Sequence, residues 1–248
     1  MTPFWIALQF LTAFPIQLKA MPTKQQNGYS LLFYPVVGLI IGFILLAAAV
    51  LLQAVPAVLS ASIVLVLWIW LTGGLHLDGL ADTADAWVGG FGDAERTLKI
   101  MKDPACGPIG VLSLIILCFL KWSALYLLLQ KQLCSALVLF PVLGRAAPLF
   151  LFLSTNYVRE KGLGSAMTDY IPKKMAVLVI LLCMAASVCF SVLGVIACLA
   201  ATLSLLYLRR KFIQRIGGIT GDTVGAGIEI CECASLLAFV IGSYYLLA

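Results

Sequence analysis

Charge is what this chain has least of. Only 11% of its 248 residues are Asp, Glu, Lys or Arg, while 62% are hydrophobic. Soluble domains carry about 25% charged and 45–50% apolar residues. With a mean hydropathy of +1.08, that shortage excludes an ordinary soluble globule and predicts an integral membrane protein. Long polar stretches are missing too, so residues 1–248 read as one membrane domain with no separate soluble one. No charged n-region precedes an apolar stretch, because the first basic residue is Lys19, and no cleavable signal is expected. The eight cysteines form no CxxC pair and mostly lie inside apolar runs. They read as small buried hydrophobes rather than disulfides or metal ligands.

Apolar runs are what the chain has instead. A bilayer core takes about 20 apolar residues per helix, and runs of that kind cover Tyr29–Leu52, Val55–Thr72, Cys106–Leu129, Leu133–Leu153 and Val224–Leu247. Pro3–Leu18 is shorter and reads as an interfacial or re-entrant helix. Met175–Leu208 holds 34 residues. As one helix it would run about 50 Å, too long for a core about 30 Å thick. A hairpin turning near Gly194 is therefore predicted. The expected fold is all-α, a polytopic transmembrane bundle of about seven spans plus the N-terminal helix.

That count puts the segments around 19–28, 76–105, 154–174 and 209–223 on one side. Thirteen of the 16 basic residues lie there, with Lys131 opposite and Lys121 and Arg145 inside spans. The positive-inside rule makes this the cytoplasmic side. All 11 carboxylates belong to the same side, Glu229 and Glu232 entering the last helix from it. Glu229 lies roughly 10 Å into that helix, at a depth comparable with Arg145, so an Arg145–Glu229 pair is expected. Buried carboxylates in a membrane are costly and usually functional.

The carboxylates concentrate in "LTGGLHLDGLADTADAW", Leu71 to Trp87, where Asp78, Asp82 and Asp85 follow a D-x-x-x-D-x-x-D spacing. On a helix they fall within roughly 60° of one another. Three like charges on one stripe repel, and a divalent cation such as Mg²⁺, which takes hard oxygen ligands and substrate phosphates, is the economical way to offset that. His76 is the only histidine. It is a candidate catalytic proton carrier or phosphate donor, with a structural hydrogen bond as the alternative.

A second polar patch, "RRKFIQRIGGITGDTVGAGIEICE", places Gly217, Gly218 and Gly221 before a helix whose start lies near Asp222. Flexible backbone feeding a helix N-terminus suits an anion such as phosphate. Arg209, Arg210, Lys211 and Arg215 read mainly as anchors to lipid headgroups. A third patch, "RTLKIMKDPACGPIG", offers Asp103 as a further metal ligand and Lys102 as a substrate contact.

Together "GGLHLDGLADTADAW", "IMKD", "GPIG", the "GR" at 144–145, "GLG" at 162–164 and "GGITGDTVGAGIEICE" resemble the cobalamin synthase family, the adenosylcobinamide-GDP ribazoletransferases. The likeness spans nearly the whole chain, including "FYPVVGLIIG" at 33–42. It implies a Mg²⁺-dependent enzyme of the bacterial cytoplasmic (inner) membrane with a cytoplasmic active face. Such an enzyme joins adenosylcobinamide-GDP to the 5′-hydroxyl of α-ribazole, or of α-ribazole 5′-phosphate. The products are adenosylcobalamin, or its 5′-phosphate, and GMP. By this resemblance Asp78 and Asp82 hold Mg²⁺, and Asp85 completes the site or takes the hydroxyl proton. Asp103 and Asp222 are the next ligands, Gly217, Gly218 and Gly221 approach the diphosphate, and Arg145 and Lys102 contact substrate. Homo-oligomers, or association with other cobamide-assembly enzymes, are further expectations, and no nucleic-acid partner is. The family often has Arg where this chain has Ala13, and a polar or basic residue where it has Ala105.

Two rivals remain open from the residues alone. A Mg²⁺-dependent intramembrane prenyltransferase usually carries two aspartate-rich motifs, whereas the second patch here holds only Asp222 with two glutamates beyond. A cation or corrinoid transporter needs polar groups near the midplane and on the far side, where this chain offers little beyond Lys131, Gln53 and Gln130.

Overall fold

The computed structural model describes residues 2–18, 20–159 and 163–246. Lys19, Glu160, Lys161, Gly162 and Leu247, all used in the sequence reading, lie outside the described residues. The chain begins with a short helix α1 (Thr2–Leu11), then α2 (Lys24–Ser30) and α3 (Tyr34–Leu51). Next come α4 (Ala57–Leu71), α5 (Leu75–Gly89), α6 (Ala94–Ile100) and α7 (Pro108–Gln130). α8 (Leu139–Ser154), α9 (Leu163–Tyr170), α10 (Lys173–Ser187), α11 (Ser191–Ile216) and α12 (Gly221–Leu246) complete it. Among the described residues the only β-pairing is an isolated parallel bridge between Tyr157 and Ile219.

Local chemistry explains where several helices start. Pro35 and Pro108 stand in the first turns of α3 and α7, where proline's fixed φ suits a helix and its missing N–H costs nothing. Thr23 and Gln26 close a reciprocal capping box on α2. The Asp93 carboxylate accepts from the Arg96 N–H at 2.6 Å and caps α6.

Among the described residues five helical runs are long and apolar enough to cross a membrane: Lys24–Leu51, Pro108–Gln130, Cys134–Ser154, Lys173–Ile216 and Gly221–Leu246. α4, with the start of α5 beyond an 86° bend, makes up a sixth. This is a multi-pass membrane protein. Phe43, Val66, Phe119, Leu182 and Leu203 lie exposed along the helices, as side chains facing lipid must.

The 44-residue run Lys173–Ile216 is not straight. Ile180, Cys183 and Met184 of α10 share one small cavity with Cys198, Ala201 and Thr202 of α11, which requires the run to fold back on itself. The fold-back adds a leg to the six. Its turn lies near Gly194, as expected, and is made by the residues just before it. The chain tightens into a 3-10 segment over Val188–Phe190 and reverses at Ser191, whose φ is 65°. Gly194 serves the packing instead, lying against the Ser187 carbonyl where no Cβ fits. Residues 209–216 form the last part of α11.

Small residues set the tightest helix contacts. A Cβ on Gly38 would stand 2.5 Å from the Pro141 carbonyl, and one on Gly42 would stand 2.6 Å from the Val138 α-carbon. The "GLIIG" segment therefore lets α3 lie backbone to backbone against the start of α8. Segments distant in sequence meet at one end of the bundle. The Trp87 carbonyl accepts from Arg215, Gly28 packs on the Tyr170 backbone, and Tyr157 pairs with Ile219. This end carries the aspartates. At the other end, Lys131 donates to the Ser243 carbonyl at 3.2 Å and lies 3.6 Å from the Tyr244 ring centre.

Between the ends, a group of four charges ties three helices together. Lys121 of α7 binds Glu229 at 2.6 Å and Glu232 at 2.7 Å, both on α12. Arg145 of α8 pairs with Glu232. This corrects the expected Arg145–Glu229 pair. Glu229 and Glu232 share a face at i, i+3 spacing, and the unforeseen Lys121 reaches both. Trp68 of α4 places its ring 4.7 Å from the Lys121 ammonium.

Candidate active site at the aspartate end

The site depends on how closely α5 approaches α12. A Cβ on Gly79 would stand 2.8 Å from the Asp222 carbonyl oxygen and 3.1 Å from its α-carbon. One turn inward, Gly225 faces His76 at 3.4 Å. The two glycines let the helices nearly touch, and Asp78 and Asp222 then line one cavity of about 220 Å³. Gly79 is level with the first turn of α12, and α5 runs outward from there to reach the start of α7. Asp82 and Asp85 therefore lie outside the spanning segments.

Asp82 stands beside this cavity. Partial burial, followed by the negative charges of Asp78, Asp222 and Asp85, pushes its carboxyl up to about 6, with Arg159 opposing. Arg159 approaches from the segment after α8, its Nη2 2.6 Å from the Asp222 carboxylate. That segment is fixed by two backbone hydrogen bonds: Val158 N–H to the Ile219 carbonyl at 3.0 Å, and Ile219 N–H to the Asn156 carbonyl at 2.8 Å. Thr220 and Thr223 cap α12 reciprocally, each hydroxyl accepting from the other's N–H at 3.2 and 2.8 Å. Tyr157 also lines the cavity. Burial raises its phenol above the ordinary range, so it stays protonated at neutral pH.

Several expected site residues have other employment. Asp85 turns to α7, its two carboxylate oxygens accepting from the N–H groups of Gly107 at 2.7 Å and Gly110 at 2.8 Å. It caps that helix, which removes it as a ready base. Asp103 accepts from the Ala105 N–H at 3.0 Å and faces solvent beside Asp93 and Lys99, apart from the other aspartates. Lys102 is exposed and does not line the cavity. Gly217 ends α11 with a φ of 74°, the left-handed conformation glycine adopts without strain. Gly218 is pressed against the Asn156 carbonyl, so only Gly221 of the three borders the cavity. Arg145 is fully buried on Glu232 and unable to reach a substrate.

His76 does line the cavity. It is 3% exposed, and among the described residues neither ring nitrogen has a hydrogen-bond partner, the structural hydrogen bond considered above included. Sequence reasoning missed Arg159, Tyr157 and Lys121. Arg159 and Tyr157 fall in an irregular segment with no motif spacing, and only the charge count placed Arg159 on the working side.

The family model for cobalamin-5-phosphate synthase matches residues 3–240. The chain belongs to the cobalamin-5-phosphate synthase family. Among similar members, one from Acinetobacter baumannii is 58% identical over 246 residues, covering 99% of this chain and all of the relative. Another from Stutzerimonas stutzeri is 52% identical over 241 residues, 97% of this chain and 98% of the relative. One from Pseudomonas fluorescens is 50% identical over 244 residues, 97% of this chain and all of its own. All three are named adenosylcobinamide-GDP ribazoletransferase. No solved structure matches the chain.

Among the described residues no three His, Cys, Asp or Glu side chains converge to hold a metal by themselves. The donor set does fit Mg²⁺ held by one or two carboxylates, with water and diphosphate oxygens filling the remaining positions.

Proposed function

We propose that this chain carries out the transfer its relatives are named for. The phosphate-linked cobinamide of adenosylcobinamide-GDP passes to the 5′-hydroxyl of α-ribazole or its 5′-phosphate. The observation that carries this is the meeting of Asp78 and Asp222 on one cavity, with Asp82 beside them and Arg159 paired with Asp222. The ribazole hydroxyl oxygen forms a bond to the phosphorus that bears cobinamide. The bond from that phosphorus to the bridging oxygen breaks, and GMP leaves with it. Catalysis of this kind is mainly placement and charge neutralisation.

Asp78 and Asp82, with Asp222, are the residues that would hold Mg²⁺, which when bound neutralises charge on the diphosphate. Asp82, with its raised carboxyl, suits acceptance of the hydroxyl proton when it is not holding metal. Arg159 can leave Asp222 for a phosphate oxygen, since both side chains are only partly buried and arginine matches phosphate geometry. Gly221 leaves backbone accessible at the start of α12, an end that favours anions. The working face is cytoplasmic in this reading, because the basic residues gather at the aspartate end.

The test is direct. Purified protein in lipid nanodiscs is incubated with adenosylcobinamide-GDP, α-ribazole and Mg²⁺, and GMP release is followed. Release that needs both substrates supports the reading. Turnover of a prenyl diphosphate in their place, or no GMP from either ribazole form, would overturn it.

A further inference from the structure

The proposed transfer brings a diphosphate, itself an anion, up to Asp78, Asp82 and Asp222. Its oxygens need donors as well as metal, and donors on the cavity wall are scarce. The Tyr34 hydroxyl donates to the Met167 sulfur at 3.9 Å. The ring nitrogens of His76 are closed off, and Arg159 is held by Asp222 at 2.6 Å. Tyr157 is the exception. It lines the cavity together with Gly221 and Asp222. Its hydroxyl oxygen lies 4.0 Å from the position that a Cβ on Gly221 would take, and the Gly221 N–H donates toward that oxygen. A phenol has a single proton to give. With its oxygen already accepting from Gly221, and no described residue taking that proton, the O–H is left for a ligand.

Three contacts hold the side chain in place. Its backbone bridges to Ile219, and its ring stacks on Phe152 at 6.1 Å and 23°. Gly164 lies so close that a Cβ there would overlap the Tyr157 ring. Packing alone does not call for the hydroxyl, because phenylalanine would fill the same space.

We infer that Tyr157 is a catalytic residue, its hydroxyl donating a hydrogen bond to a non-bridging oxygen of the substrate's diphosphate. The inference rests on the proposed transferase reading and deepens it. Position supports it first. Asp222 is one of the residues that would hold Mg²⁺, so diphosphate oxygens gathered there come within reach of a hydroxyl beside Gly221. Neutrality supports it next. A further cation among these carboxylates would be drawn to them, as Arg159 is drawn to Asp222, whereas a neutral phenol stays available to an anion. The Gly221 N–H polarises the O–H by donating to its oxygen, which strengthens the bond that the phenol makes. Tyr157 keeps its proton throughout. The ribazole oxygen bonds to phosphorus, the bond to the bridging oxygen breaks, and a donor already fixed in place offsets charge on the oxygens without reorganising.

The test uses purified protein in nanodiscs with Mg²⁺ and follows GDP binding and GMP release. Wild type should bind GDP saturably. Tyr157→Phe keeps the ring and its stack, so its unfolding temperature should match wild type. It should bind GDP about ten- to a hundredfold more weakly, the range for a hydrogen bond to a charged group. Its kcat/KM for adenosylcobinamide-GDP should fall by a similar factor, while the KM for α-ribazole stays within about twofold of wild type. Tyr157→His, assayed at about pH 8 where an imidazole is neutral and keeps an N–H donor, should recover part of the lost GDP affinity. GDP affinity unchanged in Tyr157→Phe, or no saturable GDP binding to wild type, overturns the assignment. A loss that Tyr157→His does not relieve, with lowered unfolding temperatures in both variants, makes Tyr157 a packing residue and overturns it too. Weaker GDP binding in folded Tyr157→Phe supports the contact even where no GMP is released, so this assignment and the transferase reading fail separately.

Discussion

Replacing Gly79 by alanine adds one methyl group at the tightest point between α5 and α12. The new Cβ would lie 2.8 Å from the Asp222 carbonyl oxygen, where ordinary contacts begin at 3.4 Å. The neighbour is helix backbone, not a flexible side chain, so the helices must part by about 0.6 Å at that level. Overpacking of this kind costs about 1–3 kcal/mol, but alanine in a helix returns about 1 kcal/mol relative to glycine. Net stability should change little. Activity should not, because a misplacement near 1 Å costs about a hundredfold in rate, and this methyl separates Asp78 from Asp222. GMP release in nanodiscs should fall by roughly tenfold in kcat, with the protein still inserted and folded. Gly225→Ala is the control: its Cβ meets His76 at 3.4 Å, an ordinary contact, so turnover should stay within about threefold of wild type. Wild-type turnover in Gly79→Ala would refute the claim that the close approach of these helices sets the site.

Four further outcomes follow from the same geometry. Asp82→Asn should abolish GMP release, yet at pH 7.5 the variant should be at least as stable as wild type by thermal unfolding. Because folding raises this carboxyl from 3.8 to about 6, wild type gains from its protonation at low pH and loses that gain as pH rises through about 6. The stability difference should therefore vanish below about pH 4. For the same reason wild-type kcat/KM should drop as pH falls below about 6, and a flat profile from 5 to 8 would remove Asp82 as the titrating group. Asp85→Ala should cost about 0.5–2 kcal/mol of stability through loss of the α7 cap while the remaining folded enzyme still turns over; complete inactivity of well-folded protein would return Asp85 to the chemistry. Lys121→Met should destabilise by about 3–5 kcal/mol, since it strands the buried Glu229 and leaves Glu232 to Arg145 alone, and it should be read by yield and unfolding temperature in detergent.

Much of the fold was legible because membrane burial writes long apolar runs into the sequence. The hairpin over 175–208 followed from length and charge, and its existence is what the cavity between α10 and α11 requires. Its turn lies near Gly194 as expected, although the residue that reverses the chain is Ser191 and Gly194 makes room for it. The aspartate spacing identified the working helix, but spacing alone does not say which way each carboxylate turns. Asp78 faces the cavity. Asp85 is drawn away by the free N–H groups at the start of α7, a feature of the partner helix and not of α5. Arg145 was paired with Glu229 by depth alone, while Lys121 on a third helix competes for the same carboxylate. Arg159 reaches Asp222 only through a backbone bridge that no local pattern announces.

The four-charge knot of Lys121, Arg145, Glu229 and Glu232 also bears on how the molecule is made. Its cations arrive on α7 and α8, but both neutralising glutamates arrive later, on α12. Until α12 enters, two positive charges lie unpaired at membrane depth, and the earlier helices have reason to remain loosely associated. Assembly of the knot therefore waits for α12, which also delivers Asp222, so a nascent chain that stops short of α12 lacks both the knot and that wall of the cavity.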